Sequence, residues 1–252
     1  MYSSLALTRT GALYGWGMNK NGTLGNGLNS NVPSPRRVPT PAGVEDFSCG
    51  GEHVLARLET GELFSWGRNQ FGQLGLGHTL NQVLPVKVSG LSGNVTEIAC
   101  GEGHCLALLG DGELYSWGWN KYGQLGVGHN MDLYVPTRVI GAPHNIKQMC
   151  CGPCYCMVTT RENELYGWGN VFGNQWDVPV RIEVFGKKRI YLRQKKDYFL
   201  KLAGRWPKSH LKLCILEQPL VEELLLICRS SHIPLDVTHY FIKIYLAISY
   251  SK

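Results

Sequence analysis

Two stretches of this chain are almost the same sequence, GELFSWGRNQFGQLGLG at residues 61–77 and GELYSWGWNKYGQLGVG at residues 112–128. Two further copies are less exact, GALYGWGMNKNGTLG at 11–25 and NELYGWGNVFGNQWD at 163–177. The tryptophans that mark the copies are separated by 50, 51 and 51 residues along the chain: Trp16, Trp66, Trp117 and Trp168. A fixed period of this size predicts a repeat protein in which each period forms one structural unit.

Each period is built from short β-strands. The apolar runs HVLARL (53–58) and HCLALL (104–109) lead through a glycine turn into ELFSW or ELYSW, which predicts a β-hairpin. In the fourth copy Asn163 replaces the turn glycine, and asparagine tolerates the same positive φ. The runs LPVKV (84–88) and VTEIACG (95–101) bring the content to about four strands per period, which is typical of one propeller blade.

The composition agrees with an all-β fold rich in turns. The chain has 252 residues, 31 of them glycine, together with twelve Tyr, seven Phe and seven Trp. So many aromatic residues exclude a disordered chain, and the glycines lack the three-residue period of collagen. No apolar run reaches the roughly 18 residues of a membrane span. Nine cysteines without a secretory leader predict an intracellular protein of the cytoplasm or nucleus.

The repeat resembles that of the regulator of chromosome condensation family. The resemblance rests on a W-G-x-N-x-x-G-x-L-G-x-G string that follows a C-G-x-x-H segment. In one copy the matching residues are Cys49-Gly50, His53, Trp66-Gly67, Asn69, Gly72, Leu74-Gly75 and Gly77. In the next they are Cys100-Gly101, His104, Trp117-Gly118, Asn120, Gly123, Leu125-Gly126 and Gly128. The resemblance implies a seven-bladed β-propeller.

Only about four periods are visible, so the sequence predicts a partial propeller of about four four-stranded blades over residues 1–184. The chain opens inside a repeat, with Ser3 at the position of His53, and the fourth copy carries a deletion of eight residues before Pro179. A fragment or shortened isoform is the favoured explanation, with the tail as a partial cap. An assembly of several chains is the alternative.

Residues 185–212 form a basic segment that aligns loosely with a decayed repeat. Residues 185–252 carry a net charge of +8, against −2 for residues 1–184. The candidate basic binding surface is Lys187, Lys188, Arg189, Arg193, Lys195 and Lys196. With aromatic residues interleaved, residues 187–212 suit a phosphate backbone of nucleic acid or chromatin, or a nuclear import signal. The simpler interpretation, which we favour, is a solvated edge that prevents stacking of incomplete propellers.

Residues 213–252 form an apolar tail for which helices are predicted. EQPLVEELLLICRS (217–230) has Pro219 in a first helical turn, acidic residues early and Arg229 late. After Pro234 the pattern suits a second helix or a strand. Packing against the last blade is the favoured role for these residues, and a helix offered to a partner protein is the alternative.

The four cysteines Cys150, Cys151, Cys154 and Cys156 have spacings found in zinc sites. Two of them fall on repeat positions, however, because Cys151 aligns with Cys49 and Cys100, and Cys156 aligns with Cys105. Small buried strand residues explain that pattern, and no second ligand pair follows at the usual spacing. The sequence therefore predicts no metal site.

The sequence also predicts no catalytic residue and no cofactor. His53 and His104 recur once per period, as a structural hydrogen bond would, whereas a catalytic group is needed once per molecule. No nucleophile elbow, zinc-protease motif or Walker loop is present. The recurring glycine runs are explained by turn geometry.

These observations predict a non-catalytic protein-interaction module. Two alternatives stay open. The resemblance implies a guanine-nucleotide exchange factor or regulator of a small GTPase. The tail sequence PLVEELLLI (219–227) resembles an F-box opening, which implies a ubiquitin-ligase substrate adaptor acting through the C-terminal tail. The expected partner is therefore a protein, with a small GTPase or a ligase component as examples, and nucleic acid is the less favoured partner.

Overall fold

The computed structural model describes residues 3–171 and 173–182, and these residues form fifteen β-strands. The first three are β1 (Ser3–Leu7), β2 (Leu13–Gly17) and β3 (Val32–Arg37). The next eight are β4 (Val44–Cys49), β5 (His53–Leu58), β6 (Leu63–Gly67), β7 (Gln82–Lys87), β8 (Val95–Cys100), β9 (His104–Leu109), β10 (Leu114–Gly118) and β11 (Leu133–Arg138). The last four are β12 (Ile146–Cys151), β13 (Tyr155–Thr160), β14 (Leu165–Val171) and β15 (Asn174–Ile182).

The strands form four antiparallel sheets, each corresponding to one sequence period. Blades 2, 3 and 4 each have four strands in chain order, β4–β7, β8–β11 and β12–β15. Blade 1 has three, β1–β3. Ser3 pairs with Gly17 just as His53 pairs with Gly67, so β1 is the counterpart of β5. The predicted partial all-β propeller is confirmed, with three strands rather than four in blade 1.

Successive blades meet through their first strands. The backbone N–H of Cys100 in β8 donates to Ser48 Oγ in β4 at 3.0 Å. The backbone N–H of Met149 in β12 approaches Glu97 Oε1 in β8 at 3.4 Å. The fourth strands, β7, β11 and β15, lie at the opposite edges of their sheets. This is the fan arrangement expected of propeller blades.

Three apolar cores lie between the blades. Leu13 of blade 1 packs with Val54 and Trp66 of blade 2. Equivalent sets join blade 2 to blade 3 around Trp117, and blade 3 to blade 4 around Trp168. These three tryptophans are fully buried, whereas Trp16 in blade 1 is partly exposed. Blades 2, 3 and 4 therefore each bury the repeat tryptophan against the blade that precedes them.

Blade 4 differs from the others at the site of the eight-residue deletion. In blades 2 and 3 a long loop joins the third strand to the fourth, residues 68–81 and 119–132. In blade 4, β14 and β15 form a tight hairpin that closes with Val171 opposite Asn174. The turn that replaces glycine with Asn163 survives, since Asn163 has φ of 62°.

Within the described ranges, no helix has the length and apolar character required to cross a membrane. The predicted basic segment and the predicted helical tail lie outside the described residues.

Candidate functional site

The loops 68–81 and 119–132 lie at the same end of blades 2 and 3, and we call this end the loop face. A buried asparagine holds each loop in shape. Asn69 accepts the Leu74 N–H at 2.9 Å and donates to the carbonyls of His78 and Leu80 at 2.8 and 3.1 Å. Asn120 makes the equivalent three bonds in blade 3. Because the asparagines are fully buried, the loops are ordered by internal hydrogen bonds rather than by solvent.

These two loops and the equivalent loop 18–31 of blade 1 each lie against the tryptophan of the next blade, through Gly75, Gly126 and Gly25 respectively. The indole N–H of Trp117 donates to the Gln73 carbonyl at 3.0 Å, and that of Trp66 donates to the Thr23 carbonyl at 3.0 Å. Gly75 has φ of +69°, and a Cβ there would lie 2.8 Å from Trp117 Nε1. The repeat glycine is therefore required twice, by its left-handed backbone and by the buried ring against it.

Three aromatic rings cross the boundary between blades 2 and 3 on the loop face. The Trp119 ring lies 5.6 Å from the Phe71 ring and 5.5 Å from the Tyr122 ring, the second pair edge to face. Arg68 lies 5.6 Å from the Phe71 ring centre, and Lys121 lies 5.8 Å from that of Tyr122. We call these five residues the aromatic patch. Its rings are partly exposed and are held by one another, so they offer apolar surface and cations in fixed positions.

Gly103 leaves the space that the patch needs. A Cβ at this residue would lie 3.2 Å from Trp119 Cβ and 3.4 Å from a ring carbon of Phe71. The preceding blade has Glu52 at the equivalent position. There the carboxylate accepts from Asn21 at 2.9 Å and pairs with Arg68 at 3.1 Å. The aromatic patch is thus bordered by a polar network on the side of blade 2.

The same loops present two exposed apolar side chains. Leu80 and Met131 stand 51 residues apart at equivalent positions, and their relative exposures are 69% and 68%. Their carbonyls accept the hydrogen bonds from Asn69 and Asn120 described above. These side chains therefore project from backbone that is already fixed, which lowers the entropy lost when a partner binds.

A second arrangement lies inside the molecule, between blades. His53 Nε2 of blade 2 lies 3.2 Å from Cys105 Sγ of blade 3, and Cys105 Sγ lies 3.5 Å from Cys100 Sγ. The next boundary repeats it, since His104 Nε2 lies 3.2 Å from Cys156 Sγ, which lies 3.6 Å from Cys151 Sγ. We call the two sets the interblade clusters. In each, the ligand atoms all lie within 4.8 Å of one another, a spacing that can hold a metal ion.

Burial and hydrogen bonding shift the pKa values of the cluster thiols in different directions. Burial opposes ionisation of Cys100, but hydrogen bonds with Cys105 and His53 outweigh burial and lower the pKa of this thiol well below its ordinary value. Burial raises the pKa of the Cys105 thiol well above its ordinary value, and the neighbouring Cys100 sulfur raises it further. Burial likewise raises the pKa of Cys151, with Cys156 adding to the shift and His104 opposing it. Each cluster therefore holds at least one protonated thiol beside an imidazole at neutral pH.

The structure separates the cysteines that the sequence grouped together. Cys151 and Cys156 are directly opposed on β12 and β13, and their third neighbour is His104 of another repeat. Cys154, half-buried, belongs to neither interblade cluster. The hydrogen-bonding role predicted for His53 and His104 is confirmed, with a cysteine of the next blade as the partner. The candidate basic surface from Lys187 to Lys196 lies outside the described residues.

The aromatic patch was not predicted from the sequence. Its residues occupy the positions that vary between repeats, Arg68 against Trp119 and Phe71 against Tyr122, whereas the period is read from positions that stay the same. Variable aromatic residues within an otherwise fixed loop were the available signal.

The chain is similar in sequence to known proteins. The chain is 36% identical over 168 residues to the ultraviolet-B receptor UVR8 of Arabidopsis thaliana, a match that covers 65% of this chain and 38% of the receptor. It is 32% identical over 171 residues to the human E3 ubiquitin-protein ligase HERC2, covering 66% of this chain and 4% of the ligase. The chain thus spans well under half the length of these relatives.

A solved structure gives the same picture. The crystal structure of human WBSCR16 superposes with a TM-score of 0.64 at 29% identity, covering 71% of this chain and 49% of that one. The family model described as the RCC1-like domain matches residues 1–187, which is most of the chain. The family suggested by the tryptophan period and by the C-G-x-x-H segments is thereby confirmed, and this chain belongs to the RCC1-like domain family.

Proposed function

We propose that this chain is a non-catalytic protein-interaction module whose partner binds the loop face of blades 2 and 3, with the aromatic patch at the centre of the interface. The observation that carries the proposal is the ring cluster of Phe71, Trp119 and Tyr122, flanked by two cations. Tryptophan, tyrosine and arginine are the residues most enriched where protein interfaces gain their binding energy.

The rigidity of the loops supports the same function. Asn69 and Asn120 fix the loops from inside, and the ring contacts fix the side chains from outside. A partner would therefore meet a surface that loses little conformational freedom on binding. Leu80 and Met131 add exposed apolar area on the same loops.

Relatives indicate the setting in which such a module works. One is named as a receptor and another as a ubiquitin-protein ligase. In our hypothesis, the proposed interaction takes one of two forms. The chain either regulates a small GTPase or acts as a ligase adaptor. Both require a protein partner and neither requires a catalytic residue in this chain.

The test is affinity capture from a cell extract, with quantitative mass spectrometry on the wild type and on three variants. Trp119→Ala and Tyr122→Ala each remove one ring of the patch. Ile140→Ala removes an exposed apolar side chain, 56% exposed, that follows β11 and lies outside the loop 119–132, and serves as the control.

We expect specific partners to be lost from both patch variants and retained by Ile140→Ala. For a purified partner, Trp119→Ala weakens binding by about 30-fold, the ~2 kcal/mol of a central interface residue. Moderate salt leaves binding largely intact because the contact is mainly apolar. Identical partner sets from the wild type and both patch variants would refute the proposal. A small GTPase among the partners would be followed by a nucleotide-release assay, and a ligase subunit by deletion of 213–252.

A further inference from the structure

We infer that the two interblade clusters are binding sites for a thiophilic divalent metal ion, with zinc as the expected ion, so that His53, Cys100 and Cys105 hold one ion and His104, Cys151 and Cys156 hold a second. The sequence predicted no metal site, because each set takes its histidine from one repeat and its cysteines from the next.

The distances suit such an ion. Zinc binds thiolate at about 2.3 Å and imidazole at about 2.0–2.1 Å, which separates tetrahedral ligand atoms by roughly 3.5–3.8 Å. The two histidine–cysteine distances, both 3.2 Å, are slightly shorter than this range, and the two cysteine–cysteine distances, 3.5 and 3.6 Å, lie at its lower end. A small outward movement of the sulfurs would therefore admit the ion.

The histidines are committed to these clusters. His53 and His104 are fully buried, and among the described residues their Nδ1 atoms have no hydrogen-bond partner. Each ring places its Nε2 atom 3.2 Å from a thiol sulfur of the next blade. Cys105 and Cys156 are fully buried as well, while Cys100 and Cys151 are partly exposed and give the ion a route of entry.

Charge favours a divalent ion. Two thiolates and a neutral imidazole carry a charge of −2, so a divalent cation gives a neutral complex, and a neutral group is the least costly to bury. The ion binds the two sulfurs as thiolates: Zn²⁺ and two thiolates form two Zn–S bonds, any proton still on a thiol leaves as H⁺, and the imidazole donates its Nε2 lone pair. No oxidation or reduction takes place.

The chain itself offers a boundary without the site. Between blades 1 and 2 the equivalent positions are Ser3, Cys49 and Val54, so one cysteine remains where the histidine and the other cysteine are absent. On the far side of blade 4 the sequence places Tyr155 at the histidine position. Among the described blades, the full set occurs at two boundaries, where an ion would join one blade to the next.

The test measures metal binding to the full chain, reduced and freed of metal with a chelator. Zinc affinity and stoichiometry are measured by competition with a chromophoric chelator, and Co²⁺ is used as a spectroscopic probe. Cys105→Ser and Cys156→Ser each remove one ligand and keep a hydroxyl beside the histidine. Cys49→Ser is the matched control at the boundary that lacks the site.

We expect each single variant to lose one ion per chain relative to the wild type, the double variant to lose two, and Cys49→Ser to lose none. Wild-type Co²⁺ protein shows sulfur-to-cobalt charge-transfer absorption and a tetrahedral d–d spectrum. Zinc raises the thermal midpoint of the wild type, and this increase is absent from the double variant.

X-ray absorption on the zinc-loaded wild type does not depend on any variant folding, and should show two sulfurs and one imidazole per ion at these sites. Four results would overturn the inference. Two are no zinc or cobalt binding by the reduced wild type and an unchanged stoichiometry in the double variant. The other two are binding of Cu⁺ alone and a Cys100–Cys105 disulfide that persists under reductant and blocks the metal.

Discussion

Replacement of Gly75 by alanine tests how one blade is joined to the next. The added Cβ would lie 2.8 Å from Trp117 Nε1 and 3.0 Å from Trp117 Cδ1, and the indole is fully buried and cannot move aside. Gly77 is the matched control, because its φ of +78° is close to the +69° of Gly75 but its Cβ would meet Val135 at an ordinary 3.7 Å. The two substitutions therefore share the backbone penalty and differ only in the contact.

An L-residue in the left-handed region costs about 1–2 kcal/mol. Overpacking a buried contact costs a further 1–3 kcal/mol or so. We expect Gly77→Ala to lower the free energy of unfolding by about 1–2 kcal/mol and Gly75→Ala by about 2–5 kcal/mol. Urea unfolding, followed by tryptophan fluorescence and circular dichroism, measures both.

The next repeat supplies an independent copy of the experiment. A Cβ at Gly126 would lie 2.9 Å from Trp168 Nε1, whereas one at Gly128 would meet Ile140 at 3.8 Å. The same ordering is expected for Gly126→Ala and Gly128→Ala. If the two variants of either pair agree within about 0.5 kcal/mol, the loop does not pack on the tryptophan as described and the reasoning fails.

Three further predictions concern the loop asparagine, one ion pair and one thiol. Asn69→Ala removes three buried hydrogen bonds and should lower the free energy of unfolding by about 2–4 kcal/mol. The control Asn130→Ala, at an exposed residue, should change it by less than about 0.5 kcal/mol. Equal effects of the two substitutions in urea unfolding would contradict this. The hydrogen bond from Lys87 holds the pKa of Glu62 below its ordinary value. This pair therefore stabilises the fold fully at pH values above the ordinary carboxyl pKa, and its contribution is lost as the pH falls through the lowered pKa of Glu62. Lys87→Met should raise the Glu62 pKa in a carbon NMR titration and the exposed Lys147→Met should not; a Glu62 pKa that stays the same in Lys87→Met would remove the ion pair from the account. Burial and then the Glu102 carboxylate raise the pKa of Cys154 to about 11, so its thiol stays protonated and alkylates slowly near neutral pH. Glu102→Gln should lower that pKa and speed alkylation of Cys154 in a peptide-mapped time course, whereas an unchanged rate would exclude the carboxylate as a cause.

The tryptophan period was enough to predict the blades because it depends on positions that serve the same purpose in every copy. A buried indole, a left-handed glycine and a hairpin turn are required in every copy. The repeats around Trp66 and Trp117 therefore each predict their own strands, independently of one another. The deletion before Pro179 likewise marked the blade in which β14 and β15 would differ, and these strands do form a tight hairpin there.

The interblade clusters escaped prediction for a physical reason. Aligning repeats compares His53 with His104, whereas the contact joins His53 to Cys105, a residue 52 positions later in the next repeat. Because successive blades are neighbours in the fold, these two residues come within 3.2 Å of each other. The sequence of a single repeat does not reveal this contact. Reading the repeats with an offset of one blade would have brought the histidine and the two cysteines together.

The aromatic patch escaped for the opposite reason. Trp119 and Phe71 occupy positions that the period leaves free, so they carry no repeat signal. Their contact across the blade boundary depends on the missing side chain of Gly103, a detail of three dimensions. Such positions are where members of a shared fold differ in function.

The central claim is that each loop lies on the tryptophan of the following blade, and nuclear Overhauser effects to the indole N–H protons test it most directly. The structure predicts cross-peaks from the Trp117 indole to Gly75 and from the Trp66 indole to Gly25, each spanning about one repeat in sequence. If both indoles show cross-peaks only to residues of their own repeat, the blades do not pack in this order and the account is contradicted.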